Sequence, residues 1–571
     1  MKLIENKVTD YRIVIPADPT EPQRYAADEL AKYLELMSGA RLPVVCDCSE
    51  PQAKEIVIGK TNREGAPCGC GLKNDGYTYK TVGEKLFILG ENDRGNLYGV
   101  YQLLENELGC RFLSERVEKI PARSTVELPE LDKTVIPPLE YRQTFWYEPQ
   151  HFDTFAIKRG FNANCFGTPY SEKVGGSIRV DALAHTIFNY VGPDEYFDEH
   201  PEYFSMVDGV RIKDHTQVCL TNPEVLEITK RKLRQNIIDH PEIQIFGISQ
   251  MDWYNPCQCP ECARIDAEEG SHMGTMLRFL NAIAEDIEED YPDIIIETLA
   301  YQYTRQAPKI TKPHKNICIC LCTIECCFAH PLRECNEIMH PFKARVIGDA
   351  HYQDDMRDWG KICKRMFIWD YTTNYRFYLA SFPNFHVLKD NINFFLENGV
   401  TGLFEQGNAQ SVSGEFGELR AYVISKLMWN PDLDVEQAMD EFMTGYYGVA
   451  AAPIRRYIRL LTDHLVKDHV HMGIYDDPTW YITDEALAQG QQLWDEAESL
   501  ASDEEELTRI RKSRLQLRYC QIQRMPLEDP ARAGLIDQLE KDVVAHGLTY
   551  IRESRSLEFS FEALRAGGPY R

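Results

Sequence analysis

Apolar residues recur along this chain with two different periods, and the change of period divides it into three stretches. In the first, Tyr11 to Ile15, Glu55 to Gly59 and Lys85 to Gly90 are short continuous apolar runs that predict buried strands. Between them Ala26, Leu30, Tyr33, Leu34 and Met37 fall on one face of a helix, as do Leu97, Val100, Tyr101, Leu104 and Leu108 after Asn92. Pro121, Pro129, Pro137 and Pro138 then punctuate an extended connector. From about residue 139 strands and helices alternate. Candidate strands lie near 141–146, 161–165, 182–188, 244–249, 293–299, 317–324, 365–369 and 400–404. One intervening helix carries Met276, Leu277, Leu280, Ile283, Ala284 and Ile287 on one face. Residues 189–243 are too long for one crossover and predict an inserted loop over the mouth. Beyond 431 the apolar spacing is helical throughout, over Val435 to Tyr446, Pro453 to Val466, Asp484 to Ala501 and Glu504 to Arg524.

Eight strand candidates in this spacing predict a (β/α)8 barrel over 139–430. An α+β accessory domain over 1–133 precedes it and a helical domain over 431–571 follows, either as scaffolding or with Tyr475, Trp480 and Tyr481 walling one side of a sugar site. The chain has 571 residues, 43% of them apolar, enough for several cores. A formal charge of −27 argues against a general binder of nucleic acid or of anionic membranes. The N-terminal residues lack the apolar core of a secretory signal, and no run is long enough to span a bilayer. A cytoplasmic protein is the expectation, with its 18 cysteines reduced rather than forming a disulfide framework. Oligomeric state is not legible.

Four of the apolar runs stop on an acid: Ile245 to Asp252, Ile317 to Glu325, Met366 to Asp370 and Val400 to Glu405. Acids at the C-terminal ends of barrel strands are where such a fold presents catalytic groups. Any one of them can instead cap a helix or pair with an arginine; all four together favour chemistry. Glycoside cleavage needs an acid for the leaving oxygen and a second carboxylate, so Asp252, Glu325 and Glu405 are the candidate catalytic residues. Asp370 joins them as a binding residue. Trp253, Tyr301, Gln302, Tyr303, Trp369, Tyr371, Asn374 and Gln406 crowd the same strand ends, and flat aromatic faces with amides suit a pyranose. His330 follows Glu325 in a loop and is a further binding candidate.

Cys257, Cys259 and Cys262 form a tight C-x-C-x-x-C directly after Asp252. Zinc needs a fourth ligand, for which Cys165, Cys219 or His272 are candidates. A structural zinc and a metal-free turn are both open, with a redox role behind them; catalysis requires no cofactor. Metalloprotease, kinase and serine-hydrolase motifs are absent.

Asn92 to Tyr101 and Leu108 to Leu113 resemble the accessory domain that precedes hexosaminidase and α-glucuronidase barrels. Tyr196-Phe197, His200 to Phe204, Val218 to Pro223, Ser249 to Asp252, the cysteine motif and Phe404 to Gly407 resemble domain-of-unknown-function family 4838, within which glycoside hydrolase family 163 was recognised. The resemblance covers roughly residues 1 to 450. It implies a barrel that hydrolyses β-linked N-acetylglucosamine, within N-glycans in characterised members, with chemistry assisted by the substrate's N-acetyl group as one route. The related hexosaminidases place Asp-Glu after strand four, where this chain reads Met251-Asp252-Trp253. The partner is then an oligosaccharide or glycan. Two alternatives stand beside this reading. One is an α-glucuronidase-like exo-enzyme, with Arg142, Lys158, Arg159 and Arg305 as candidate clamps for a uronate. The other is a non-catalytic carbohydrate-binding barrel.

Overall fold

A computed structural model describes residues 1–339, 341 and 351–567. Its first sheet has six strands: β1 (Arg12–Ile15), β2 (Val44–Cys46), β3 (Glu55–Ile58), β4 (Tyr77–Val82), β5 (Lys85–Gly90) and β6 (Asp132–Val135), in the order β6-β4-β5-β3-β1-β2. Strands β2, β1, β3 and β5 are mutually parallel, whereas β4 is antiparallel to both β5 and β6. The expected helices lie on this sheet. α1 (Glu21–Ser38) starts on a capping box of Thr20 and Gln23, stops at Gly39 in the left-handed region, and buries its apolar stripe. α2 (Asp93–Gln102) is capped by Asn92. Gly90 is required just before it, because a Cβ there would lie 2.2 Å from the backbone of Gly95 and Asn96.

A second sheet contains β7 (Tyr141–Thr144), β8 (Ile245–Gly247), β9 (Ile295–Ala300), β10 (Ile317–Cys322), β11 (Met366–Tyr371) and β12 (Gly402–Gln406). All are parallel, in the order β7-β12-β11-β10-β9-β8. The sheet curls, and hydrogen bonding continues between its two edges. Asn162 N donates to Arg142 O, Ala163 bridges Ile178, and Val180 bridges Ile245. The strand expected at 161–165 is therefore one bridge long, and the one expected at 182–188 sits earlier, around Ile178 and Val180. Residues after 181 cannot continue it: Ala182 O presses on Gly247, where a Cβ would be 2.0 Å away, and His185 is left-handed. Residues 189–243 hold short helices, the Met206–Arg211 hairpin and the helix Pro223–Asp239.

The C-terminal stretch is helical, as its spacing predicts, over Val435–Tyr447, Ala451–Lys467, Asp484–Ser499, Glu504–Arg524, Arg532–Ala545 and Leu557–Ala566. Among the described residues no helix is long and apolar enough to cross a membrane. Cys46–Cys48 and Cys68–Cys70 are disulfide-bonded, each two residues apart, which differs from the expected all-reduced state; the other 14 cysteines are free.

One buried carboxylate joins the two sheets. Asp75 accepts from Asn92 Nδ2 at 2.9 Å, Arg94 Nη2 at 2.9 Å, Arg142 Nη2 at 2.7 Å and Asn162 Nδ2 at 2.8 Å. Arg142, at the start of the curled sheet, also donates to Leu139 O, Asn74 O and Gly160 O, and lies over the rings of Tyr98 and Trp429. Burial pushes Asp75 up, but Arg94, Arg142 and the two amides outweigh it and hold the carboxyl well below its usual range. Removing one partner of a buried pair costs about 3–5 kcal/mol. Asp75→Ala is expected to lose that much in urea unfolding. Because the folded pKa is depressed, the contribution is complete above about pH 4 and fades as pH falls toward the folded value. The difference between wild type and variant should therefore shrink in acid; a pH-independent difference counts against this account.

Candidate active site

Side chains on a strand alternate between its faces, which decides where the strand-end acids point. Phe367 on β11 stacks on Tyr141 across Gly402, with ring centroids 4.9 Å apart; a Cβ on Gly402 would meet Phe367 at 2.3 Å. Trp369 packs edge-on against Phe404 at 4.8 Å and donates to Gln406 Oε1 at 2.7 Å. Phe166 lies against Trp369, and Tyr371 beyond it. These residues line the inside of the curl. Asp370 and Glu405 are one residue out of step and face the other way, paired in register with each other.

Glu405 is fully buried, and neither carboxyl oxygen has a partner among the described residues. Burial, then the neighbouring Asp370, raises its pKa well above the usual range. Asp370 accepts from Thr323 Oγ1 at 2.5 Å and is pushed up to about 6 by burial. Glu325 is buried in an ion pair with Arg305, which also donates to Asp355 Oδ2 at 2.7 Å. Burial raises the Glu325 pKa and Arg305 opposes it. The expected meeting of four acids at one opening is thus not what forms: Asp370 and Glu405 sit together behind the sheet, and Glu325 ties a loop to the helix Tyr352–Ile362.

Asp252 is different. Its side chain is 58% exposed, it accepts from Tyr301 OH at 2.9 Å, and His185 Nε2 lies 4.0 Å away. Burial and the Asp252 charge both raise the Tyr301 pKa, keeping that phenol a donor. Trp369, Tyr371, Gln406 and Tyr301 share the inner face. Trp253 instead donates to Thr216 O, Tyr303 packs against Tyr254 and His272, and Asn374 donates to Asp476 O. These three hold loops. Gln302 is left-handed, its Oε1 buried with no partner among the described residues. His330 lies in a cysteine–histidine cluster. The uronate clamps are also committed: Arg142 to Asp75, Lys158 to Glu118, Arg159 to Glu105 and Arg305 to Glu325.

Two residues reach the mouth from far along the chain: Glu553, which sequence reasoning missed, and Tyr475, which it offered as a wall of a sugar site. Thr549 N donates to Ser411 Oγ, Tyr378 N to Ile551 O, Glu553 N to Tyr375 O and Ser554 N to Gln410 Oε1, each between 2.8 and 3.1 Å. This lays residues 549–554 across the loops that follow β11 and β12. Burial, then the charge of Asp252, pushes the Glu553 carboxyl up to about 7. Tyr475, beside Tyr375 at 6.2 Å, is raised by burial and by the charges of Glu553 and Asp252. Glu553 lies in a polar loop with no apolar run before it, so nothing local signals it.

Behind the mouth the cysteine motif finds its fourth member in Cys219. Cys219, Cys257, Cys259 and Cys262 are all buried with their sulfurs within 4.8 Å of one another. Cys219 Sγ lies 3.7 Å from Cys259 Sγ and 3.9 Å from Cys262 Sγ. Tetrahedral zinc with Zn–S of about 2.3 Å places sulfurs about 3.8 Å apart. Cys165 and His272 are elsewhere, on Gln143 and Asp266.

The curled parallel sheet thus presents Asp252 at its mouth, with the segment that carries Glu553 laid across the loops that follow β11 and β12. The chain belongs to the family described as domain of unknown function (DUF4838), which matches residues 112–459; residues 5–103 match the N-terminus of glycosyl hydrolase family 67. An α-glucuronidase of Hypocrea jecorina is 35% identical over 104 residues, which are 17% of this chain and 12% of that protein. The chain thus spans only a small part of that curated relative. A family 115 4-O-methyl-α-glucuronidase with specificity for decorated arabinogalactans shares the fold, with TM-score 0.58 at 10% identity over 100% of this chain and 80% of its own. The Flavobacterium johnsoniae chitobiase aligns with TM-score 0.45 and 11% identity over 99% and 96%.

If Glu325 is a structural partner of Arg305, Glu325→Gln should lower unfolding free energy by about 3 kcal/mol. Turnover per folded molecule, on whichever glycoside the wild type cleaves, should stay within about tenfold. Abolished turnover with unchanged stability would return Glu325 to the chemistry.

Proposed function

We propose that the protein is a glycoside hydrolase whose working carboxyls are Asp252 and Glu553. The curled sheet is read as a (β/α)8 barrel over 139–430, with the bridge segments at 162–163 and 178–180 in its second and third positions; 1–133 is its accessory domain and 431–571 its helical domain. The observation that carries the reading is that both carboxyls share one aromatic-lined mouth, where the charge of Asp252 helps hold Glu553 up to about 7. Two carboxyls driven apart in this way divide the roles of a glycosidase. Glu553, still protonated near neutrality, donates to the leaving oxygen. Asp252, steadied by Tyr301, faces the developing positive charge or orients a substrate group that does. Trp369, Tyr371 and Tyr475 offer flat faces to the sugar.

For the sugar itself, a β-linked N-acetylglucosaminide follows from the family resemblance. A uronide is the second reading, favoured by Arg376. Its charge lowers the Tyr475 pKa against the effect of burial, and no ion pair among the described residues takes that charge up, which leaves it for a substrate carboxylate. Aryl β-N-acetylglucosaminides and aldouronic acids, tested side by side, separate the two, and Arg376→Ala should raise KM only for a uronide.

With either substrate, Asp252→Asn and Glu553→Gln should each lower kcat by about 10²- to 10⁴-fold. In the wild type kcat/KM should fall as pH rises through about 7, where Glu553 loses its proton. That limb should vanish in Glu553→Gln. Full activity in Glu553→Gln removes it from the mechanism.

The four thiolates Cys219, Cys257, Cys259 and Cys262 are proposed to hold a structural zinc. Met206 N and Arg211 Nη1 donate to Cys257 Sγ at 3.4 and 3.5 Å, easing its negative charge. Elemental analysis should show Cys257→Ser/Cys262→Ser losing one zinc equivalent and melting earlier. An unchanged metal content argues for a metal-free turn.

A further inference from the structure

A second cluster of soft ligands lies on the other side of the mouth. The loop after β10 carries Cys327, His330 and Cys335, and His471 reaches it from the segment between the helices Ala451–Lys467 and Asp484–Ser499. One ligand atom from each of the four lies within 4.8 Å of all the others. Cys327 Sγ is 3.4 Å from His330 Nδ1, and Cys335 Sγ is 3.6 Å from His471 Nδ1. The rings of His330 and His471 are 4.8 Å apart, centre to centre.

Tetrahedral zinc with Zn–S of about 2.3 Å and Zn–N of about 2.0 Å sets sulfur and nitrogen about 3.6 Å apart. Both sulfur–nitrogen distances match that value without any movement. Two thiolates and two imidazoles are a donor set suited to zinc and poorly suited to magnesium or calcium.

We propose that Cys327, His330, Cys335 and His471 form a second, separate zinc site, which fastens the β10 loop to the helical region. The ion would close a junction that the backbone has already begun. Phe328 N donates to Met472 O at 2.8 Å, Met339 N to Glu325 O at 2.9 Å, and Gln353 Nε2 to Cys335 O at 2.9 Å. The segment so held runs on to Tyr475, which lies at the mouth. A zinc here therefore sets the position of a substrate-facing ring through two loops. Cys327 is buried and His471 exposed, so the site opens to solvent at His471. Binding zinc releases the two thiol protons, and no redox step is involved.

The test is zinc content per chain, measured on the full-length protein reconstituted with zinc alone and then desalted. Wild type should hold one equivalent more than Cys335→Ser/His471→Ala, whatever the four-thiolate cluster holds. His471→Ala alone, at an exposed position, keeps the fold checkable by circular dichroism and should bind the second ion more weakly in competition with a chromophoric chelator. Cobalt in place of zinc should give a wild-type-minus-variant difference spectrum with tetrahedral ligand-field bands. Equal zinc in wild type and double variant overturns the proposal. So does a titration showing Cys327 and Cys335 joined as a disulfide in the zinc-treated wild type.

Discussion

A carboxylate shut away from water has to be neutralised where it stands, and Asp75 is neutralised by residues from both halves of the molecule. Arg94 and Asn92 come from the front sheet; Arg142 and Asn162 come from the first two positions of the curled sheet. Arg94 also reaches Gly175 O, next to the third position. Arg142 is the hinge of the arrangement, since its remaining donors go to the carbonyls of Leu139, Asn74 and Gly160 and its plane lies over Trp429. The weakest part of the curled sheet, where two positions are single bridges, is where these charges converge. Side-chain hydrogen bonds and ion pairs there replace the backbone ladder that regular strands would supply. Such a pair is no stabiliser relative to apolar packing, but once buried it admits one arrangement and penalises others.

The same logic separates two kinds of acid. Glu325 and Asp75 are anchored by arginines and serve as fasteners. Glu405 has no partner among the described residues and lies behind the sheet next to Asp370, its pKa raised by burial. Of the acids discussed, Asp252 and Glu553 keep access to the mouth, and the charge of Asp252 acts on Glu553. A buried acid paired with arginine has its protonation fixed; an acid left half in solvent beside another acid can change it near neutrality.

Much of the architecture was legible because it rests on local periodicity. The α1 stripe, the six regular strands of the curled sheet and the C-terminal helices follow from spacing alone. The second and third strand positions did not, because Asn162 and His185 are held by side-chain bonds and a left-handed turn rather than by an apolar run. Asp252 was legible as an acid closing a buried strand. Glu405 and Asp370 looked the same in sequence, since a strand end one residue out of step reads identically until the inward face is known. The C-x-C-x-x-C motif announced itself, but Cys219, about forty residues earlier, could be chosen over Cys165 and His272 only from coordinates.

Glu553 and Tyr475 show why the mouth is harder to read than the barrel. Both arrive on segments that belong to no strand: Glu553 N donates to Tyr375 O, Ile474 O beside Tyr475 accepts from Tyr375 N, and Gln410 Oε1 accepts from Ser554 N. Each loop that follows β11 or β12 is therefore also a docking site for the helical region. The sheet can stay constant while the helical region decides which ring and which carboxyl face the sugar. This divides the labour physically. The curled sheet supplies Asp252 and the flat floor of Trp369 and Tyr371, which any pyranose can use. In the reading proposed above, the C-terminal segments would supply the proton donor and the side wall, and with Arg376 between them they are the parts whose replacement would change the sugar accepted without disturbing the fold.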